Sequence, residues 1–385
     1  MLKKLRLKNR LIRILNSHNR REHEIIKLNI HKNSVNGVLF IKKRKYFFKL
    51  LKKRTGHKEF AGYKDLIGKF PVPQLEKVFE DYDDLLLLYD YEESIKKDHG
   101  LLVDEINKRL HTSRKINLKE IFNIWKENFI HTAKWGIRPP SNMEFFKGRI
   151  KRGGRWDVWY KKAKVEINGE KILFKKLLKK QFIINKRLMK RSPYELYNIA
   201  KKNLTKRKRM IELVSQGDPI EMNIGMKPIF FDFDKAGLDD FLGENANFIY
   251  SVLIDGGYFS PKYHKDAFWL HPKSLKNIEE HKYKFLNYKI DRKRVFVNYE
   301  LKIPKVRANI LKQYFKEIIY PLIRVMGLSF ERYDKVLSDY LFARFMLVHD
   351  VSKMETEDIF LTLAMISEIY DFGFRDYLKK LNIKI

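Results

Sequence analysis

Two neighbouring runs hold the residues best suited to chemistry. Gln216-Gly217-Asp218-Pro219-Ile220-Glu221-Met222-Asn223 is followed by Phe230-Phe231-Asp232-Phe233-Asp234. An Asp, an Asn five residues later and a second Asp nine after that are thereby set in order. Transfer of a phosphoryl group from ATP needs such groups close together. One carboxylate orients the attacking hydroxyl or takes its proton, while an amide oxygen and another carboxylate hold the magnesium that neutralises the phosphates. Asp218-x-x-x-x-Asn223 has the interval of a kinase catalytic loop, and Asp232-Phe233-Asp234 stands where Asp-Phe-Gly would. Gly, Asp and Pro also form turns, so the same residues could make a surface turn leading into a buried strand. The choice depends on what lies upstream.

Upstream, Val38 to Ile41 and Tyr46 to Leu51 are β-branched and aromatic runs joined by the basic turn Lys42-Lys43-Arg44-Lys45, a hairpin pattern. Lys49 sits in the second run between Phe47, Phe48, Leu50 and Leu51. A lysine among such neighbours is expected to aim its ammonium at a partner, because an unpaired buried charge is costly. Ten residues on is Glu59, in a segment with helical spacing at Phe60, Tyr63, Leu66 and Ile67. Phe70-Pro71-Val72-Pro73 ends that helix, since proline disfavours α geometry in the residue before it. A turn at Asp81 to Asp84, an apolar strand Leu85 to Leu88 and Tyr89-Asp90-Tyr91-Glu92 follow.

This order of parts resembles the aminoglycoside phosphotransferase-like branch of the protein-kinase-like superfamily, which also takes in choline and homoserine kinases. The resemblance covers residues 34–92 and 216–237, and the rest matches only as a helical lobe. It implies an α+β, two-lobed protein-kinase-like fold with a small antiparallel-sheet N-lobe and a larger, mainly helical C-lobe. The N-lobe would span 1–88, with a basic N-terminal helix, the sheet and the Glu59 helix. Residues 89–92 would be the hinge and 93–385 the C-lobe, bearing the catalytic loop and the metal-binding strand. It further implies ATP and Mg2+ as cofactors. Lys49 would contact the α/β-phosphates and Glu59 would orient it. The loop Asn33 to Gly37, with Ser34, Asn36 and Gly37, would cover the phosphates, although it holds a single Gly. The backbone around Tyr89, Asp90 and Tyr91 would bind adenine. Asp218 would be the catalytic base, and Asn223 and Asp232 the magnesium ligands. Two positions depart from the family pattern: Gln216 replaces a His that braces the loop, and Asp234 replaces the last Gly of Asp-Phe-Gly.

Composition bounds the remainder. The chain has 385 residues, 44% of them hydrophobic and 14% aromatic, which suits two lobes sharing one large folded body. With no cysteine there are no disulfides, thiolate nucleophiles or cysteine zinc sites. No window of about 18 apolar residues suggests a spanning helix, and no signal peptide pattern opens the chain. A cytoplasmic protein is therefore expected. His57, His264 and His271 lack ligand spacing and read as ordinary polar histidines. Val165 to Phe174 is a hairpin with Asn168-Gly169 at its turn. Tyr194 to Val214 reads as a helix leading into the catalytic loop, and further helices are expected over 245–258, 307–326, 333–348 and 355–370.

The charge is the other unusual property. The formal net charge is +34, beyond what solubility requires. Residues 147–209 hold 23 basic and 4 acidic side chains, and residues 1–50 hold 15 and 2. Lysines repel a polycationic acceptor and attract an anionic one, so an anionic small molecule or glycan is the expected acceptor. A solvated basic face without a ligand is the plain alternative. Lys201, Lys202 and Lys206 to Arg209 could also contact nucleic-acid phosphates without sequence readout. Arg155, Trp156, Trp159 and Tyr160 suit either base stacking or core packing. Leu2, Leu5, Ile12 and Leu15 share one face of a basic N-terminal helix, which could lie on an anionic membrane surface or pack on the small lobe. A kinase of macromolecules, or a silent polyanion-binding module, would use the same basic surface. The lack of an Ala-Pro-Glu segment argues against a protein kinase, and the complete set Lys49, Glu59, Asp218, Asn223 and Asp232 argues against silence.

Overall fold

The computed structural model describes residues 2–18, 20, 23–30, 34–91, 100–112, 114–137, 144–206, 209–268, 271–278 and 284–385. Asn33, Glu92, Arg207 and Lys208 lie outside them. The chain divides into two compact units. The first takes in Met1–Leu102, Val214–Asp218 and Met222–Gly237, and the second the remainder. The α+β class is as expected. The first compact unit runs on to Leu102, past residues 89–92. It also gathers most of the loop and the Asp232 segment, which the sequence had put in the second lobe.

In the first unit, helix α1 (Leu2–Ser17) precedes strands β1 (His23–Ile30), β2 (Ser34–Ile41) and β3 (Arg44–Lys52), helix α2 (Lys53–Leu66), and strands β4 (Leu75–Glu80) and β5 (Asp84–Asp90). The strands form one antiparallel sheet in the order β1-β2-β3-β5-β4. The β2–β3 turn places Lys42 and Lys43 at φ 49° and 66°, the left-handed pair that suits the twist of a two-residue hairpin. Alternation then sorts β3. Tyr46, Phe48 and Leu50 join a core with Leu11, Ile14 and Leu15 of α1. Phe47, Lys49 and Leu51 fall on the other face. On that second face a Cβ at Gly56 of α2 would press into Leu85. Because both faces are covered, Leu85, Leu86, Leu87 and Leu88 are all buried, and the four-leucine run is explained.

Leu11, Ile14 and Leu15 of α1 are fully buried, each side chain contributing about 2 kcal/mol. Arg10 pairs with Asp84 (Nε–Oδ2 2.6 Å) and Arg13 with Asp81 (2.8 Å), anchoring the polar flank. Through Leu11, Ile14 and Leu15 the helix packs on its own sheet. No described helix is long and apolar enough to cross a membrane.

The segment expected to loop over phosphates is not a loop. Ser34 to Gly37 belong to β2, with Asn36 opposite Lys49 and Gly37 opposite Phe48; the ladder extends the hairpin four residues beyond the β-branched run that marked it. The strand expected over residues 230–234 is confined to Ile229–Phe230, paired with Ile224–Gly225.

In the second unit the expected helices near 307–326, 333–348 and 355–370 are found. They are Lys305–Tyr314 continued by Phe315–Ile319 and Tyr320–Val325, then Phe330–Leu347 and Thr356–Phe372. The helix expected to start at Tyr194 and run to Val214 stops at Lys206, and Met210–Ser215 is a strand paired with Lys134–Gly136. Ile211 and Val214 are β-branched and pack better on a sheet than in a helix turn. Phe241–Tyr250, buried at all ten positions, runs into the π-helical segment Ser251–Phe259. The hairpin of Lys164–Ile167 and Glu170–Leu173 turns at Asn168-Gly169. A four-stranded sheet (Arg187–Leu188, Gln181–Ile184, Arg294–Glu300, Lys284–Ile290) was not foreseen. Trp156 stacks on Tyr197 at 3.5 Å between centroids, and both are buried with Tyr160, so these aromatics pack the interior and do not form a platform for bases.

Candidate active site

Lys49, Glu59, Asp218, Asn223 and Asp232 all fall within the first unit. The Lys49 ammonium donates to Glu59 Oε1 at 2.6 Å and to Asp232 Oδ1 at 2.9 Å. Alternation along β3 turns Lys49 toward α2, and Glu59 meets it there, 2% exposed. Burial opposes the charge on Lys49, but Asp232 and Glu59 outweigh it and hold the ammonium well above its ordinary range. The lysine stays charged at every physiological pH. Glu59 also accepts from the Phe233 amide, so one carboxylate fixes both the lysine and the segment carrying Asp232.

That segment is shaped for close approach. Asp232 has φ 63°, a left-handed conformation that costs a non-glycine residue energy and tends to persist where function needs it. Its side chain is 47% exposed despite the ion pair. Gly62 of α2 lets the helix reach the Phe233 carbonyl, which a Cβ would strike.

The loop from Gln216 to Asn223 is braced from within. Gln216 Nε2 donates to the carbonyls of Phe231 (2.6 Å) and Asp232 (2.8 Å), while its Oε1 accepts from the Asp218 amide (2.9 Å). Asn223 Nδ2 closes the loop on the Asp218 carbonyl at 2.8 Å. Phe231 N–H donates to the Asn223 carbonyl at 3.0 Å, so Asp232 stands one residue beyond the backbone partner of Asn223. Asn223 and Asp232 each carry a side-chain oxygen donor, an amide Oδ1 and a carboxylate. Hard oxygen donors of this kind fit magnesium, which takes few protein ligands and completes its shell with water and phosphate. Among the described residues, no group of three or more His, Asp or Glu could hold a metal by itself. Asp234 pairs with neighbouring Lys235 and is not part of this donor pair.

Tyr89, expected to act through its backbone, also contributes its side chain. Its ring meets Tyr63 and Phe233 at 5.8 and 6.2 Å. Its buried hydroxyl has no hydrogen-bond partner among the described residues and lies in the field of Glu59 and Lys49; burial pushes its pKa well up. An isolated Tyr after four leucines gives no sequence signal for this beyond strand parity with Leu87, the residue opposite Lys49. At Asp90 the N–H donates to the Gln74 carbonyl, and the Tyr91 N–H donates to the Asp90 carboxylate. His57, His264 and His271 are not brought together as ligands; His271 pairs with Asp104 and His57 approaches Glu80.

No family model and no curated protein matches this sequence. Solved structures do. The Cydia pomonella granulovirus kinase PK-1 is similar at 19% identity and TM-score 0.24, over 31% of this chain and 45% of that kinase, less than half its length. The amicoumacin kinase hAmiN, solved with AMP-PNP, Ca2+ and Ami, is similar at 12% identity and TM-score 0.38 over 96% of both chains. The aminoglycoside phosphotransferase APH(3'')-Id from Streptomyces rimosus is similar at 13% identity and TM-score 0.37, over 74% of this chain and 93% of that one.

Proposed function

We propose that this chain is an ATP- and magnesium-dependent phosphotransferase acting on a hydroxyl of an anionic small molecule or glycan. The observation that carries the proposal is Lys49 held between Glu59 and Asp232, in the unit that also holds Asp218 and Asn223, which are hydrogen-bonded to each other. Lys49 holds phosphate oxygens and Glu59 fixes its direction. Asn36, opposite Lys49 in the ladder, lies on the same face and lines the phosphate side with Gly37 and the start of β2 at Ser34. Tyr89, Asp90 and Tyr91 border the adenine. Asn223 and Asp232 hold the magnesium, which neutralises phosphate charge. Asp218 orients the acceptor hydroxyl and takes its proton as the new O–P bond forms, while the bond from the γ-phosphorus to the β–γ bridging oxygen breaks and ADP leaves. The excess of 23 basic over 4 acidic side chains in residues 147–209 favours an anionic acceptor over a polycation.

Thermal unfolding with nucleotides and Mg2+ tests this reading first. A ligand bound at 100 times its Kd stabilises the fold by about 2.7 kcal/mol, so ATP with Mg2+ should raise the unfolding midpoint by several degrees. Asp232→Asn should lose the part that depends on Mg2+. A midpoint that no nucleotide moves contradicts the proposal. A polyanionic macromolecule is the second reading, because Lys201, Lys202 and Lys206 are all exposed on one helix. Retardation of RNA or DNA in a gel, equal across sequences, would favour it.

A further inference from the structure

We infer that Arg307 is a positioning residue of this site, anchoring through Glu221 the loop that carries Asp218 and Asn223. The inference rests on the reaction proposed above. Glu221 stands three residues after Asp218 and two before Asn223, and it is 1% exposed, as is Arg307. The guanidinium of Arg307, on helix Lys305–Tyr314, takes both carboxylate oxygens: Nη2 meets Oε2 at 3.0 Å and Nη1 meets Oε1. Nη1 also donates to the Val252 carbonyl at 3.1 Å. The backbone of Glu221 is held as well, its N–H by Ser251 Oγ at 3.3 Å and its carbonyl by the Val103 N–H at 3.2 Å. One loop residue is thus fixed at its amide, its carbonyl and both side-chain oxygens.

The receiving surface is built for it. Ser251, Val252 and Gly256 belong to the π-helical segment Ser251–Phe259, and such wide turns recur where a helix must present irregular backbone. A Cβ on Gly256 would lie 2.7 Å from the Glu221 carboxylate, so only glycine admits the acid there. Stability does not by itself call for this pair. Taking two charges out of water is costly, and apolar residues of similar volume often serve as well or better. What a bidentate pair adds is direction: the planar fork fixes the angle and depth of the carboxylate, as an apolar contact cannot. Displacement of a catalytic group by about 1 Å costs on the order of a hundredfold in rate.

The test is the double variant Glu221→Met/Arg307→Met in the full chain, beside Arg307→Lys, which keeps the charge and loses the fork. Amide hydrogen exchange across 216–223 is the first readout. It should quicken at least about tenfold in both variants while the rest of the chain keeps its protection. Turnover should fall tenfold or more with the ATP KM within about twofold, even where the unfolding midpoint of the double variant matches wild type. Unchanged exchange across 216–223 in Arg307→Lys overturns the inference, and so does turnover that simply follows the midpoint. Should the double variant fail to fold, Arg307→Lys decides alone. Asp218→Asn run in parallel keeps the two ideas apart. Turnover that survives Asp218→Asn contradicts the proposed reaction, whereas the exchange comparison judges the anchoring by itself.

Discussion

Gln216 makes three hydrogen bonds with one uncharged side chain, and that capacity suits it to its place. Two amide hydrogens reach the Phe231 and Asp232 carbonyls and the oxygen takes the Asp218 amide. A neutral imidazole has one donor and one acceptor, so the histidine of the resembled family could satisfy at most two of these groups. Gln216→Ala leaves three backbone groups without that partner; at about 1 kcal/mol each, the loss is roughly 2–3 kcal/mol in a denaturant titration. Gln216→His should lose less, and a cost for Gln216→Ala below about 0.5 kcal/mol would deny the brace. The sequence showed the position and its departure from the family pattern. It did not show that one amide joins the Asp218 loop to the Asp232 segment, because that bond spans 15 residues and depends on a left-handed Asp232.

Local rules worked where an element's partners lie close in the chain. The β2–β3 hairpin, the Glu59 helix and the 164–173 hairpin followed from alternation, helical spacing and turn residues. They failed where pairing is distant. Met210–Ser215 is a strand because it lies between Gly237–Asp240 and Lys134–Gly136, both far off in the chain. A similar long-range pair governs the junction of the last two helices. Asp334 accepts from the amides of Phe374 and Arg375 at 3.0 and 3.3 Å. Burial pushes its carboxyl up from 3.8 to about 6, with the amide donors pulling the other way. The folded chain therefore holds this proton more tightly than the unfolded chain. The contribution to stability is gained as pH falls from about 6 toward 4 and is lost as pH rises past 6. Asn keeps the accepting oxygen and cannot ionise. Asp334→Asn should be more stable than wild type at pH 7 by about 1–2 kcal/mol, discounted for partial solvent screening. The difference should vanish near pH 4. Equal midpoints at pH 7 would contradict the assignment.

At the scale of the molecule, the sequence anticipated a sheet-bearing part and a helical part. The first compact unit also takes in loop and strand segments far along the chain, Val214–Asp218 and Met222–Gly237, through contacts no local pattern records. Charge is the property most legible from composition and least explained by packing. The net +34 cannot be neutralised by the internal ion pairs of so basic a chain. If the basic segment faces the acceptor, Lys206→Glu/Arg209→Glu should raise the acceptor KM steeply at low salt and leave the ATP KM alone. The effect should fade as the screening length shortens to about 8 Å at physiological ionic strength. An acceptor KM unchanged at low salt would return the charge to a solvated face.

The most direct test of phosphoryl transfer by this site is turnover of wild type and Asp218→Asn at saturating ATP and acceptor, with ATP affinity measured on both by calorimetry. Asparagine keeps the shape of the side chain and cannot take the proton. A positioned base contributes about a hundredfold or more, so the account predicts turnover lowered at least that far with ATP affinity within about twofold. Turnover within tenfold of wild type would contradict it.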